Sequence, residues 1–103
     1  MTVKLTVVYD NPTDPAAFEE HYSTKHVALA QQLPDVLRVE TAKVFPKEDG
    51  SPTPAYRTAD VYFADYDTAV AALGSPQGSA LVADVQELAT GGVRLLLSDV
   101  ETS

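Results

Sequence analysis

The chain has 103 residues, 45% of them hydrophobic and 21% charged, which predicts one compact domain over residues 1–103 with a single core. Its 15 acidic and 7 basic residues give a formal net charge of −8, and a chain this acidic is repelled by phosphate backbones and anionic lipid, which argues against nucleic acid and membranes as partners. The absence of cysteine excludes disulfides and thiolate metal sites.

The N-terminal segment predicts a β-strand over residues 3–9. One face of this strand carries Val3, Leu5, Val7 and Tyr9. Alternation with period two is typical of a half-buried strand. The segment lacks a charged region followed by a long apolar core, so it does not predict a secretory signal peptide. Since no apolar run approaches the roughly 18 residues that span a bilayer, we expect a cytoplasmic protein.

Residues 15–33 predict an amphipathic helix. Asp14 is a favourable N-cap, Pro15 is tolerated at the first helical position, and Pro34 ends the helix. The apolar face comprises Phe18, Tyr22, His26, Leu29 and Leu33. At 100° per residue these side chains fall within roughly 80° of arc. The pattern therefore turns one histidine toward the core.

The remaining segments complete an alternating order of strands and helices. They are strands over 36–45, 55–63 and 93–100, helices over 66–73 and 76–89, and a loop over 46–54. The order βαββαβ, with the second helix broken in two, predicts an α+β fold of the ferredoxin-like type. Such a fold has a four-stranded antiparallel sheet with helices on one face.

The sheet face opposite the helices is predicted to be mixed in character. It would carry Thr6, Val8, Thr58, Tyr62 and Leu96 or its neighbours, together with Arg38, Glu40 and Asp60. This surface is too apolar and aromatic to face water comfortably, and burial against a second copy of the same sheet accounts for it. We therefore predict a two-fold homodimer through the sheet face, with a half-solvated sheet as the alternative.

His26 is the candidate catalytic residue. A lone histidine on an apolar face is ordinarily a neutral core residue that has found a hydrogen-bond partner. Tyr22 lies one turn before it on the same face, and Tyr9 ends the strand that leads into the helix. Small-molecule pockets are mostly apolar with a few convergent polar groups, and histidine is the natural general base at neutral pH. Both interpretations stay open.

Other candidates are weaker. Arg57 lies at the start of a strand. There it could pair with a carboxylate or hold an anionic substrate, and the third outcome is that it reaches solvent. His21 lies at the border of the apolar stripe. His21 and His26 are five residues apart, about 140° around an α-helix, so we expect them to diverge and predict no metal site. No glycine-rich phosphate loop is present, and we predict no cofactor; haem bound by His26 alone is a third hypothesis.

Two long segments resemble the EthD family. They are "VVYDNPTDPAAFEEHYSTKHVALAQQLPDVLRVE" (7–40) and "ALGSPQGSALVADVQELATGGVRLLLSD" (72–99), and the likeness covers nearly the whole chain. The family helix carries a histidine and a tyrosine, matched here by His26 and Tyr22. The chain departs at Ala28, where the family often has proline, and at Leu88, where an aromatic residue is common. The resemblance implies a dimeric α+β barrel in which two ferredoxin-like protomers pack sheet on sheet.

The resemblance also implies a class of function. The family is named for a member linked to ether degradation alongside a cytochrome P450, and similar barrels include cofactor-free monooxygenases, muconolactone isomerases and polyketide cyclases. Their common feature is an apolar pocket for a small, often aromatic or oxygenated, compound. One hypothesis is a cofactor-independent monooxygenase, isomerase or cyclase in which His26 moves a proton and Tyr9, Tyr22 and Arg57 bind the substrate. The alternative is a non-catalytic ligand-binding protein or an accessory to an oxygenase.

Overall fold

Four strands pair into one antiparallel sheet in the computed structural model, which describes residues 2–102. They are β1 (Val3–Tyr9), β2 (Arg38–Lys43), β3 (Arg57–Phe63) and β4 (Val93–Asp99). Their order across the sheet is β2-β3-β1-β4, with β1 and β3 in the centre. The predicted ferredoxin-like α+β fold is confirmed.

Helices cover one face of this sheet. They are α1 (Pro15–His21), a π-helical segment (Tyr22–His26), α2 (Val27–Ala30), α3 (Tyr66–Leu73) and α4 (Pro76–Leu88). Side chains cap the N termini of α1, α3 and α4, where Asp14, Asp65 and Ser75 each accept a hydrogen bond from a backbone N–H in the first turn. Within residues 2–102, no helix is long and apolar enough to cross a membrane.

The core lies between the helices and the two central strands. All four odd-numbered side chains of β1 are buried, and the intervening ones are only half-buried. Leu5 is paired with Val61 and Val7 with Ala59 in the register of β1 and β3, so the buried side chains of both strands lie on the same face. The period-two alternation predicted for β1 is therefore what sets its buried face.

The largest departures from the predicted bounds are in the second strand and the first helix. The second strand spans Arg38–Lys43 rather than 36–45, and all six of its residues are exposed because it is an edge strand beyond the helix layer. The first helical region ends at Ala30 rather than Leu33. Beyond it the backbone bonds run from Gln32 to Leu29 and from Leu33 to Ala30, which is the tight i→i+3 pattern common at helix ends.

The opposite sheet face has the mixed composition that was predicted. Asp60 accepts a hydrogen bond from Thr6 and lies 3.6 Å from the Lys4 ammonium. The Tyr62 hydroxyl donates to a Glu40 carboxylate oxygen at 2.7 Å. Arg38 is stacked 4.2 Å from the centre of the Tyr62 ring, and Leu96 is 52% exposed. The charges on this face are thus partnered within the chain, while apolar surface remains uncovered.

Candidate functional site

A π-helical segment brings the two histidines to the same side of the first helix. The N–H of Val27 donates to the carbonyl of Tyr22, an i→i+5 bond. In such a turn, residues five apart lie nearly above one another, whereas an α-helix would separate them by about 140°. The expectation that His21 and His26 diverge is therefore wrong. Single π-helical turns inside α-helices are frequent at functional sites.

Both histidines bond the same carboxylate, Asp84 of α4. The Nε2 atom of His21 lies 2.8 Å from Oδ1, and the Nδ1 atom of His26 lies 2.9 Å from Oδ2. Asp84 is only 3% exposed. Burial raises its pKa, but the hydrogen bonds and charges of the two imidazoles outweigh this effect and hold the pKa of Asp84 below its usual value. The carboxylate is therefore ionised at neutral pH.

The bond to Asp84 fixes the tautomer of His26. Because an ionised carboxylate only accepts hydrogen bonds, the proton of neutral His26 is on Nδ1 and the lone pair is on Nε2. Burial lowers the pKa of His26 even though Asp84 acts to raise it. At neutral pH, His26 is thus a neutral imidazole whose Nε2 atom is a proton acceptor.

Tyr9 is the partner of that lone pair. Its hydroxyl oxygen lies 3.2 Å from Nε2 of His26, and Tyr9 is fully buried. Burial, reinforced by the nearby Tyr22 and Asp84, raises the pKa of Tyr9 far above its ordinary value. The phenol therefore keeps its proton and donates a hydrogen bond to Nε2. Asp84, His26 and Tyr9 form a continuous buried hydrogen-bonded chain.

An aromatic stack fixes the plane of the imidazole. Tyr22 is stacked on His26 with ring centroids 5.2 Å apart and on Phe18 with centroids 5.7 Å apart. Tyr9 meets all three of these rings edge-on, at interplanar angles of 77° to 90°. Edge-to-face and offset contacts of this kind are favourable and directional. The imidazole is held from its face, its edge and both of its nitrogens.

Arg57 lies on the other side of Tyr22. Its guanidinium is 4.5 Å from the centre of the Tyr22 ring, and Nη2 donates to Glu19 Oε1 at 2.9 Å. The Lys43 ammonium lies 3.0 Å from the same oxygen. Burial raises the pKa of Glu19, but the hydrogen bonds from Lys43 and Arg57 lower it by more, so the net shift is downward. Of the three outcomes considered for Arg57, the structure shows pairing with a carboxylate.

A cavity of about 470 Å³ lies between the sheet and the helices. Thirteen of its seventeen lining residues are aliphatic, and every strand contributes two of the lining residues. The polar members are Tyr22, His26, Gln31 and Thr41. Val39 and Leu95, on the two edge strands, are 45% and 42% exposed and form part of its rim. The cavity is therefore apolar, and solvent reaches it at the sheet edges.

The predicted site residues divide into two groups around this cavity. His26 and Tyr22 are among the residues that line it. Tyr9 and Arg57 are not among the described lining residues, and each instead contacts a residue of the wall, Tyr9 through His26 and Arg57 through Tyr22. Within residues 2–102, no three His, Asp or Glu side chains are grouped so that they would hold a metal ion.

Asp84 is the residue of this candidate site that the sequence analysis missed. It lies on the buried stripe of α4 with Leu81, Val85 and Leu88. An aspartate at a buried helical position almost always has a partner that is charged or donates hydrogen bonds. Its place in the stripe was therefore a usable signal. Gln31 lies at a helix end and Thr41 on an edge strand. Polar residues are ordinary at both places, so neither residue carried a comparable signal.

Comparison with known proteins identifies the family. Residues 10–92 match the model of the EthD domain. The chain belongs to the EthD family. A relative from Rhodococcus erythropolis, an uncharacterized 11.0 kDa protein of the thcB-thcC intergenic region, is 48% identical over 99 residues, which cover 96% of this chain and 95% of the relative. The crystal structure of an EthD family protein from Bacillus halodurans superposes with a TM-score of 0.91 at 25% identity, covering 98% of this chain and all of the other.

More distant solved structures share the fold alone. SnoaB of Streptomyces nogalater, a cofactor-independent oxygenase, has a TM-score of 0.70 at 17% identity and covers 99% of this chain and 95% of its own. A dimeric ferredoxin-like protein from Thermobifida fusca has a TM-score of 0.72 at 13% identity, with 97% and 92% coverage. The fold of this EthD-family chain is thus one that occurs both in a cofactor-independent enzyme and in a dimer.

Proposed function

We propose that this EthD-family protein binds a small apolar organic molecule in the cavity and that His26 takes a proton from it without a cofactor. The observation that carries the proposal is a neutral imidazole in the wall of an apolar cavity of about 470 Å³, with its tautomer set by Asp84. A base positioned in this way contributes roughly 10²–10⁴-fold to a rate. Removal of a proton next to a carbonyl or from a phenol is the step that isomerases, cyclases and cofactor-independent monooxygenases have in common.

The proton balance of this step is simple. The C–H or O–H bond of the ligand breaks, its electron pair stays on the ligand as an enolate or phenolate, and the proton joins Nε2 of His26. The resulting imidazolium is stabilised by the Asp84 carboxylate 2.9 Å away. Once Nε2 carries a proton it no longer accepts from Tyr9. The Tyr9 hydroxyl is then free, like that of Tyr22, to donate a hydrogen bond to the new oxyanion. Arg57 holds Tyr22 in place through the contact between its guanidinium and the Tyr22 ring.

A non-catalytic role is the second candidate function. It is favoured by one observation: both nitrogens of His26 already have hydrogen-bond partners, Asp84 and Tyr9. In this case the protein sequesters a ligand or serves as an accessory to an oxygenase, and the imidazole is a structural element of the wall. The long 3.2 Å contact with Tyr9 is the bond that a substrate must displace for catalysis.

His26→Gln and His26→Ala separate these two candidates. A substrate is first sought by screening aromatic ketones, phenols and lactones for turnover by the wild-type protein. Catalysis by His26 predicts a loss of roughly 10²-fold or more in kcat with ligand binding retained in the glutamine variant. His21→Gln, which alters the other histidine on Asp84, is the matched control. Full activity in both His26 variants excludes the catalytic role, and binding without any product favours the accessory role.

We also propose that two chains associate through the sheet face opposite the helices. Support comes from the exposed apolar side chain of Leu96 beside charges that are already neutralised within the chain, and from the dimeric state of a protein with the same fold. Leu96→Lys is expected to dissociate the dimer, whereas Val70→Lys, an equally exposed site on α3, is not. Sedimentation of the wild type only as an 11.0 kDa species at micromolar concentration would exclude the dimer. A cytoplasmic location is part of the same proposal and is tested by cell fractionation.

A further inference from the structure

No formally charged side chain is found among the described residues that line the cavity. Of the seventeen described residues that line the cavity, none is an aspartate, glutamate, lysine or arginine. Tyr22 and His26 are the titratable residues among them. Because the pKa of His26 is lowered, its imidazole is uncharged at neutral pH. Two charged clusters contact the aromatic residues of the wall, one through Arg57 at Tyr22 and the other through Asp84 at His26. Whether these clusters are open to a ligand decides which molecules the cavity accepts.

The first cluster is centred on Glu19. Arg57 Nη2 and Lys43 Nζ lie 2.9 Å and 3.0 Å from the same carboxylate oxygen. The Arg57 side chain is only 11% exposed, and the Tyr22 ring lies against its guanidinium. An anionic ligand would have to displace Glu19 and pass the Tyr22 ring to reach this arginine. The Arg57 cation therefore has a carboxylate partner within the protein, and the Tyr22 ring shields it from the cavity.

The second cluster is centred on Asp84. Both of its oxygens accept hydrogen bonds from histidines, and Lys25 Nζ lies 3.5 Å from Oδ1. Lys25 in turn pairs with Glu87 at 3.7 Å near the surface. A cationic ligand in the cavity would find the His26 ring between itself and a carboxylate whose two oxygens both already have partners. This negative charge is also closed to the cavity.

We propose that the cavity selects uncharged ligands: apolar molecules with one or two hydrogen-bonding oxygens, to the exclusion of carboxylates, phosphates and ammonium ions. This inference rests on the proposed binding of a ligand in the cavity. A charged group that enters loses its hydration and meets no opposite charge, and an unpaired buried ion is far more costly than an unpaired hydroxyl. A carbonyl or hydroxyl oxygen needs only one partner, which Tyr22, Gln31 or Thr41 supplies.

Matched probes test this selectivity directly. Methyl 2-naphthoate and the 2-naphthoate anion share the same ring system and differ in charge. Equilibrium dialysis at pH above neutrality, where the acid is fully ionised, gives the dissociation constant of each. The ester is expected to bind at least about tenfold more tightly than the anion, because only the anion loses ionic hydration on entry. Ala30→Phe, which fills part of the cavity from α2, should weaken binding of the ester.

A variant that adds charge to the rim provides the converse test. Gln31 lines the cavity, is exposed and lies at the end of α2, where a cation suits the helix dipole. Gln31→Lys should strengthen naphthoate binding by about tenfold and leave the ester within about twofold, since it supplies the missing counter-charge. Gln31→Glu, the matched control of opposite sign, should not improve binding of the anion.

The outcomes distinguish the inference from the proposed function on which it rests. Equal binding of ester and anion by the wild type overturns the charge selectivity and leaves the proposed ligand cavity standing. Failure of the ester to bind, or ester binding that Ala30→Phe leaves unchanged, contradicts the cavity itself and the inference with it. Tighter binding of the ester, together with rescue of the anion by Gln31→Lys alone, is the result that supports the proposal.

Discussion

Asp84 of α4 and His26 of the π-helical segment are joined by a 2.9 Å hydrogen bond between two side chains that are almost completely buried. The two residues are 58 positions apart in the chain and belong to different helices. Their bond sets which imidazole nitrogen carries the proton. Because His21 bonds the other oxygen at 2.8 Å, the Asp84 carboxylate connects both histidines in one polar network. Its removal therefore has consequences for both stability and protonation.

Asp84→Asn is predicted to disturb both histidines. The amide has one accepting oxygen where the carboxylate has two, so one imidazole loses its acceptor and faces an N–H group instead. We expect the free energy of unfolding to fall by about 1–3 kcal/mol. The pKa of His26 should fall further, because Asp84 acts to raise it and burial remains. Nitrogen-15 NMR follows the tautomer and the pKa of each imidazole, since the chain has only two histidines, and urea unfolding measures the loss of stability.

Glu87→Gln is the control for this variant. It removes a carboxylate from the same helix at an exposed position that pairs only with Lys25 among the contacts of the described chain, and exposed pairs contribute little. It should leave the tautomers and the stability nearly unchanged. An Asp84→Asn protein in which His26 titrates as in the wild type would contradict the assigned hydrogen bond.

The lowered pKa of His26 predicts that the protein loses stability on acidification. Its pKa in the unfolded chain is near the ordinary 6.5, and its folded value is lower. Below the unfolded value the unfolded chain therefore binds more protons at this group than the folded protein does, and the free energy of unfolding decreases as pH falls. Urea unfolding at intervals between about pH 7 and pH 5 should show this decrease.

Two variants assign this pH dependence. His26→Gln removes the group and should give a shallower decrease over the same range, whereas His21→Gln leaves His26 in place and should retain most of it. The titratable groups of other elements in contact with His26 are Asp84, Tyr9 and the stacked Tyr22. The pKa of Asp84 is lowered and the pKa values of both tyrosines are raised, which moves all three away from the range of about pH 5 to pH 7. Equal slopes in the wild type and His26→Gln would count against a depressed pKa at His26.

Local patterns gave the fold and one half of the site. The alternation in β1 and the cap at Asp14 depend on neighbouring residues only, and each was confirmed. The 100° periodicity of the first helix correctly predicted that His26 is buried. It failed for His21, because a π-helical turn changes the angular step between residues five apart, and that turn is visible only in the backbone bonds.

The other half of the site depends on contacts between distant segments. The acidic residue on the buried stripe of α4 indicated a buried partner, but nothing local indicated that the partner was His26, 58 positions away. The pairing of Arg57 with Glu19 is likewise a contact between a strand and a helix. The exposed state of β2 follows from its place at the sheet edge, which is a property of the topology and not of the strand's own sequence.

Tyr9→Phe is predicted to affect stability and chemistry more than ligand binding. The ring keeps its packing in the core, and only the hydroxyl that donates to Nε2 of His26 is lost. We expect the free energy of unfolding to fall by about 1 kcal/mol in urea titrations. Since Tyr9 is not among the described residues that line the cavity, the dissociation constant of an apolar probe should stay within about twofold. A large change in affinity would show that Tyr9 contacts the ligand directly.

The pairing of Glu19 with Arg57 predicts a non-additive double-mutant cycle. Glu19→Gln leaves the buried guanidinium of Arg57 without its carboxylate, and Arg57→Met leaves Glu19 with only the exposed Lys43. We expect the first variant to lose about 1–3 kcal/mol of stability and the second to lose less, because Glu19 is about one-third exposed. The double variant should be more stable than the sum of the single losses predicts, because no uncompensated charge remains.

Urea unfolding of the four proteins measures the coupling between these two residues. Lys43→Met is the matched control, since it removes an exposed cation from the same carboxylate oxygen and should cost little. Strictly additive losses would mean that Arg57 is stabilised mainly by its contact with the Tyr22 ring at 4.5 Å rather than by Glu19. In that case pairing with Glu19 would not account for the exclusion of anionic ligands, and shielding of Arg57 by the Tyr22 ring would be the contact that keeps this cation from the cavity.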